Sequence, residues 1–185
     1  MFRLICTLFL TSLLLGCSDD QTETGNHSTP ALITAAENGD VTTLKQLLAE
    51  KSPVDVQDSC QWTPLMKAAL NGHTEVVRQL LSTKARVDLT DQGGYTALML
   101  AASNNHSAIV ELLLLSGAKI NHQEKTQGWS ALIWSAKRGH LDTVKLLLTY
   151  KADKTIRDYK GMSALDWAVK SKHEEVVSLL QTQTK

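Results

Sequence analysis

Cysteine is scarce in this chain, and neither sign of charge is in excess. The 185 residues contain 3 cysteines, and 19 basic side chains balance 19 acidic ones. A balanced charge disfavours nucleic acid as a partner, because phosphate backbones select strongly basic faces. The cysteines are also too far apart along the chain for a zinc-type spacing.

Catalytic signatures and long apolar runs are absent from the sequence as well. It contains no glycine-rich phosphate loop and no motif of a nucleophilic or metal-dependent enzyme. We therefore expect no catalysis, no cofactor, no metal and no small-molecule substrate. The only extended apolar run, at 4–15, is shorter than the roughly 20 residues of a membrane-spanning helix.

That apolar run has the layout of an export signal. Arg3 precedes it, and it ends in LLGC at 14–17. This ending resembles the lipobox of bacterial lipoproteins, which implies cleavage of a signal peptide at 1–16 and acylation of Cys17, for example with palmitate. An ordinary cleaved signal peptide, with Cys17 uninvolved, is the alternative.

The lipobox resemblance also implies a location. Residues 17–29 would form the lipidated cysteine and a flexible tether, because 18–29 contain no aliphatic or aromatic side chain. Ser18 after the cysteine favours the outer membrane, facing the periplasm, although Asp19 weakens that inference. Processing would leave Cys60 as the last available thiol, so no intrachain disulfide is expected.

The remainder of the chain is one unit written five times. Leucines recur at 32, 65, 98, 132 and 165, and again at 47, 80, 113, 147 and 180, with spacings of 33, 33, 34 and 33 in both series. A period of this length indicates a solenoid of stacked repeats. We place the repeats at about 30–57, 58–90, 91–123, 124–157 and 158–185, within one domain at 30–185.

Each unit contains two short helices. In the copy WTPLMKAALNGHTEVVRQLL, at 62–81, Thr63 and Pro64 start a helix, and Gly72 ends it before a second apolar helix. The copy resembles the ankyrin repeat. The resemblance implies an all-α solenoid of about five helix-turn-helix repeats, with β-hairpin-like finger loops and no catalytic role.

The repeats also depart from the family pattern. The family histidine of the first helix is replaced at 33, 66, 99, 133 and 166 by Ile, Met, Met, Ile and Asp. Gln61 occupies a finger position where the other full fingers have glycine, so we expect this finger to be strained or differently shaped. The fourth finger, at 124–128, carries one extra residue.

Most polar residues have a structural explanation in the repeat. Histidines 73, 106, 140 and 173 share one position, where the family histidine bonds backbone groups near a turn, and Ser130 and Ser163 fall at helix caps. We expect none of them to be catalytic. Cys60, near a finger tip, is the one candidate for a redox-sensing thiol, although an inert thiol is the simpler interpretation.

Two sets of residues are not explained by the repeat, and we predict that they bind a partner. Aromatic residues and a methionine precede the helix cap in four repeats, and a second set follows in the fourth repeat; the seven are Trp62, Tyr95, Trp129, Met162, Trp134, Lys137 and Arg138. Rigid aromatics are frequent at interface hot spots. The alternatives are that the rings stiffen the stack and that Trp134 packs on Trp167.

These observations predict a membrane-anchored envelope protein that binds another protein and has no chemistry of its own. The partner, which one sequence does not identify, would be a periplasmic or envelope protein that this chain scaffolds, helps or stabilises. One alternative is an inhibitor or immunity protein that covers a toxic enzyme. Another is a redox sensor that uses Cys60.

Overall fold

The structure is a computed structural model, and it describes residues 29–182. Within this range it consists of ten helices and contains no strand, which confirms the predicted all-α class. The helices are α1 Ala31–Glu37, α2 Val41–Ala49, α3 Pro64–Asn71, α4 Thr74–Ser82, α5 Ala97–Ser103, α6 Ser107–Leu115, α7 Ala131–Arg138, α8 Leu141–Thr149, α9 Ala164–Lys170 and α10 Glu174–Thr182.

The predicted export features lie outside the described residues. They are the signal peptide at 1–16, Cys17 and the tether up to residue 28. Among the ten helices, none combines the length and the apolar character that crossing a bilayer requires. The predicted repeat boundaries stay a prediction, although each of the five predicted repeats contains one pair of helices.

Side-chain caps fix where four of the first helices begin. The Thr63 hydroxyl accepts a hydrogen bond from the Met66 N–H at 3.2 Å, and Ser130 accepts one from Ile133 at 3.4 Å. Thr96 caps α5 in the same way, and Ser163 forms a capping box with Asp166. A serine or threonine in extended backbone satisfies a helical N–H that has no partner within the helix. The cap role predicted for both serines is confirmed.

The four repeated histidines join each repeat to the one before it. The Nε2–H groups of His73, His106, His140 and His173 donate to the carbonyls of Glu37, Leu70, Ser103 and Lys137, at 2.9–3.1 Å. A Cβ at Gly39 would lie 2.6 Å from the His73 ring, so glycine permits this close approach. The histidines are structural, as expected.

The position of the missing family histidine is filled by apolar packing. Ile33, Met66, Met99 and Ile133 are at most 1% exposed. In the last repeat Asp166 occupies it instead, where its carboxylate accepts from the Ser163 N–H and pairs with Arg157. Burial therefore replaces the absent hydrogen bond in four repeats.

The helices form two layers with different spacing. The first helices of the repeats, α1, α3, α5, α7 and α9, approach one another more closely than the second helices, α2, α4, α6, α8 and α10. Buried alanines such as Ala68, Ala101 and Ala136 keep the first helices thin. A stack that is tighter on one side curves toward that side, so the face of the first helices is concave.

The fingers are tight turns built around an acidic side chain. In the third finger Asp91 accepts from the Tyr95 N–H at 2.8 Å, while the Asp91 N–H donates back to the Tyr95 carbonyl. Asp58 and Asp158 close the second and fifth fingers in the same way. Gln61 has a φ of 66°, a left-handed conformation that is strained for a residue other than glycine. The second finger nevertheless closes as the others do, so the expected difference in shape is wrong.

The fourth finger combines an extra residue with a longer acid. Its closing bond runs from the Glu124 N–H to the Trp129 carbonyl, five residues on instead of four. The Glu124 carboxylate is fully buried and accepts from the N–H groups of Thr126, Gln127 and Trp129. The added methylene of glutamate thus spans the added residue.

Candidate functional site

The predicted aromatic ladder is not uniformly exposed. Trp62, Tyr95 and Met162 are partly buried against the core, whereas Trp129 is only 5% exposed. Trp134 in the next helix is 8% exposed. Trp129 and Trp134 therefore help to stabilise the stack, and a partner reaches little of either ring. Their predicted part in binding stays a prediction, as it does for the other five residues.

Asp158 explains the burial of Trp129. One carboxylate oxygen of Asp158 accepts from the Trp129 and Trp167 indole N–H groups, each at 2.8 Å. The other oxygen closes the fifth finger through the N–H groups of Lys160 and Met162. Burial acts to raise the pKa of Asp158, but these hydrogen bonds outweigh it and hold the pKa below its ordinary value.

Four rings form one cluster on the concave face. Trp129 lies between Trp134 and Trp167, with ring centroids 4.5 and 5.3 Å away and nearly perpendicular planes. Tyr95 extends the cluster, 6.2 Å from Trp134. Edge-to-face contacts of this kind add to the burial energy. The alternative in which Trp134 packs on Trp167 therefore needs correction, because Trp129 separates them.

Three cations cover this aromatic cluster. The Lys137 ammonium lies 5.2 Å from the Trp129 ring centroid and 5.4 Å from that of Trp167. The Arg138 guanidinium lies 5.2 Å from the Trp134 ring, and the Lys170 ammonium 4.9 Å from the Trp167 ring. Cations within about 6 Å of a ring face are attracted by its quadrupole. We call these three residues, with the four rings beneath them, the cationic patch.

The charges of the patch crowd one another. Burial, followed by repulsion from Arg138 and Lys170, lowers the pKa of Lys137. Burial also lowers the pKa of Arg138. In the described part of the chain no ion pair includes any of the three cations. Asp158, which contacts two of the rings, already accepts from two indoles and its own finger.

Sequence reasoning placed Lys137, Arg138, Trp129 and Trp134 in one region, and the structure brings these four together. It named Trp167 only as a packing partner of Trp134, and it did not include Lys170 or Asp158 among the seven predicted binding residues. The repeat phase held the signal for two of them, because Lys170 and Trp167 are the counterparts of Lys137 and Trp134 one repeat later. Asp158 carried no such signal, since its finger role is shared by Asp58 and Asp91.

His122 and the metal-binding residue types were the other candidates for chemistry. Among residues 29–182, no cluster of three His, Cys, Asp or Glu side chains is arranged to hold a metal ion. The His122 Nε2–H donates to the Gly94 carbonyl at 3.0 Å, which fixes one finger on the next.

The expectations for Cys60 stay predictions. Cys60 is disulfide-bonded in the structure, whereas the expectation of no intrachain disulfide concerned the chain after processing at Cys17, which lies outside the described residues. The alternative of a redox sensor that uses Cys60 also stays a prediction.

Comparison with known families agrees with the geometry. The family model described as "Ankyrin repeats (3 copies)" matches residues 32–124 and 114–184. Comparison with curated proteins gives no match. Ankyrin repeats are generally protein-interaction modules and typically not catalytic. With the matches covering most of its length, the chain belongs to the ankyrin repeat family.

Proposed function

We propose that this protein is a membrane-anchored envelope module that binds another protein through its concave face and performs no chemistry of its own. The observation that carries the proposal is the cationic patch, where Lys137, Arg138 and Lys170 lie over buried rings without a carboxylate partner. Cations that are held in place over buried rings offer a protein partner a preorganised charged surface.

The anchor in this proposal is lipid on Cys17. Support comes from the LLGC sequence at 14–17 and from the polar stretch that follows it. Stable anchoring requires more than one acyl chain, which a mature bacterial lipoprotein would supply. Intact mass of the purified mature protein tests this step. A chain that starts at Cys17 with the added mass of three acyl groups supports it, and an unmodified N-terminus beyond Cys17 contradicts it.

The partner is proposed to be a periplasmic or envelope protein that this chain scaffolds or stabilises. Crosslinked complexes purified from the native envelope should contain one protein in stoichiometric amount. The variant Lys137→Met, Arg138→Met, Lys170→Met should lose it. A matched variant on the second helices, Lys45→Met, Arg78→Met, Lys145→Met, removes the same charge and should retain it.

The effect of binding on the partner's activity distinguishes two versions of the proposal. A scaffold or helper leaves the activity of its partner intact, whereas an inhibitor or immunity protein abolishes it. Assaying the copurified partner with and without this protein therefore decides between them. Equal recovery of the partner by wild type and by both charge variants would contradict binding through the concave face.

A further inference from the structure

The three cations of the cationic patch lack the counter-charge that several other cations of the described chain have. Lys67 pairs with Glu37 at 3.0 Å, Arg86 with Asp55 at 3.1 Å, and Arg157 with Asp166 at 3.3 Å. Three cations that are held together over rings repel one another, and pairing each with a carboxylate would relieve that repulsion. The positive charge of the patch is thus not neutralised within the described chain.

A second, independent observation falls on the same patch. In the described part of the chain the Trp134 indole N–H is the one buried side-chain polar group without a hydrogen-bond partner. A buried donor without an acceptor is less stable than one whose hydrogen bond is satisfied. The Arg138 guanidinium lies over this same ring. The unsatisfied indole N–H and an unpaired cation therefore belong to the same contact.

We infer that the cationic patch binds an acidic segment of the partner protein, with carboxylates on Lys137, Arg138 and Lys170 beside the Trp134 indole. This inference rests on the proposed function and specifies the chemistry of its partner. The segment would carry several aspartates or glutamates, because the three cations spread across two repeats, on α7 and α9.

A protein segment fits this surface better than a membrane does. The first helices converge, so the patch lies on a concave face that a flat bilayer does not follow. Trp129, Trp134 and Trp167 are at most 8% exposed, which leaves little ring surface to insert among lipids. An extended chain can enter the concavity and bring its carboxylates to the cations from above.

The experiment uses acetylated octaglutamate with a fluorescent label as the acidic probe and octaglutamine as its neutral match. Fluorescence anisotropy at low salt measures the dissociation constant for the lipid-free protein from residue 18 onward. We expect octaglutamate to bind and octaglutamine not to bind. The Lys137→Met, Arg138→Met, Lys170→Met variant should weaken binding about tenfold or more, since it removes the charges that pair with the probe.

The second-helix variant, Lys45→Met, Arg78→Met, Lys145→Met, is the matched control and should keep the wild-type constant. Circular dichroism confirms that both variants fold. In parallel, the indole N–H cross-peak of Trp134, assigned through Trp134→Phe, should shift on adding octaglutamate. The indole cross-peaks of Trp129 and Trp167 should move less, because Asp158 already binds them.

Several results would overturn the inference. They are no binding of octaglutamate, an equal loss in both charge variants, or the same Trp134 shift with inorganic phosphate at equal concentration, which would indicate a simple anion site. Binding to phosphatidylglycerol vesicles through the three cations, without octaglutamate binding, would assign the patch to the membrane. The proposed function is tested by a different experiment, the purification of complexes from the envelope. Failure of the acidic-segment inference can therefore be distinguished from failure of the proposed function.

Discussion

At both ends of the concave face a lysine lies over a tryptophan ring, but the lysine is paired with a carboxylate at only one end. In the second repeat Lys67 lies 4.9 Å from the Trp62 ring centroid, and Glu37 from the first repeat neutralises it. In the fourth and fifth repeats Lys137 and Lys170 also lie over tryptophans, but without a carboxylate. Contact between a cation and a ring is therefore common to both ends, whereas neutralisation of that cation by a carboxylate occurs only in the second repeat.

The rings at the two ends differ as well. Trp62 is partly buried, whereas Trp129 is held between two other tryptophans and bonded to Asp158. The same position in the repeat is thus peripheral at one end and part of the core at the other. Only the C-terminal end combines a rigid base with unpaired charge, which is why we place the partner there.

Truncating the two rings should give the largest effect. Trp129→Ala removes a buried ring from a cluster of four and leaves a cavity, so we expect a loss of about 3–5 kcal/mol in the free energy of unfolding. Trp62→Ala removes a partly buried ring and should lose about 1–2 kcal/mol. Urea unfolding followed by circular dichroism measures both. Similar losses would show that the two ends are built alike.

The acids of the second and fifth fingers give an intermediate effect. Asp158→Asn weakens the hydrogen bonds of two buried indoles and should lose about 1–3 kcal/mol at neutral pH. Asp58→Asn is the matched control, because Asp58 accepts from finger N–H groups alone. It should lose less in the same urea titration.

The pH dependence of stability gives an independent check on Asp158. The pKa of Asp158 is held below its ordinary value of 3.8, so folding favours its charged form. That stabilisation is fully present above the ordinary value and is lost as pH falls through the lowered pKa. Melting temperature below about pH 4 should therefore fall more steeply in wild type than in Asp158→Asn. Parallel curves would contradict the assignment.

Removing one lysine from each end should give the smallest effect. Lys67→Met breaks an ion pair with Glu37 and should lose about 0.5 kcal/mol. Lys137→Met removes a cation that is partly desolvated and repelled by its neighbours, so its loss should be smaller or absent. Urea unfolding at low and high salt measures the difference, which should shrink as salt screens the charges.

The sequence was sufficient to predict the structural features that recur from repeat to repeat. Helix pairs, the caps Thr63 and Ser130, and the histidine row follow from one local pattern, because each depends on residues at fixed offsets within a repeat or between neighbours. The strain predicted at Gln61 follows as well, since glycine at this position in the other fingers indicates a positive φ.

The aromatic cluster could not be predicted from that pattern. Trp62 and Trp129 occupy equivalent positions, and their different burial depends on side chains from the next repeat. Trp129 is buried because Asp158 and Trp167 both reach it. The residues at the equivalent places after Trp62 are Asp91, whose carboxylate accepts from the Tyr95 N–H of its own finger, and Leu100. Register predicts which residues are neighbours, but not which of several neighbours a large ring will contact.

The fourth finger shows how a repeat array can change length without losing phase. An added residue would ordinarily displace every later repeat, yet α7 and α9 stack as the earlier first helices do. The displacement is absorbed within the turn, since Glu124 reaches donors that an aspartate in that place would fall short of. The length of the turn is therefore matched by the length of the acidic side chain that closes it. A one-residue insertion in another finger should be accommodated best when the aspartate of that finger is replaced by glutamate at the same time.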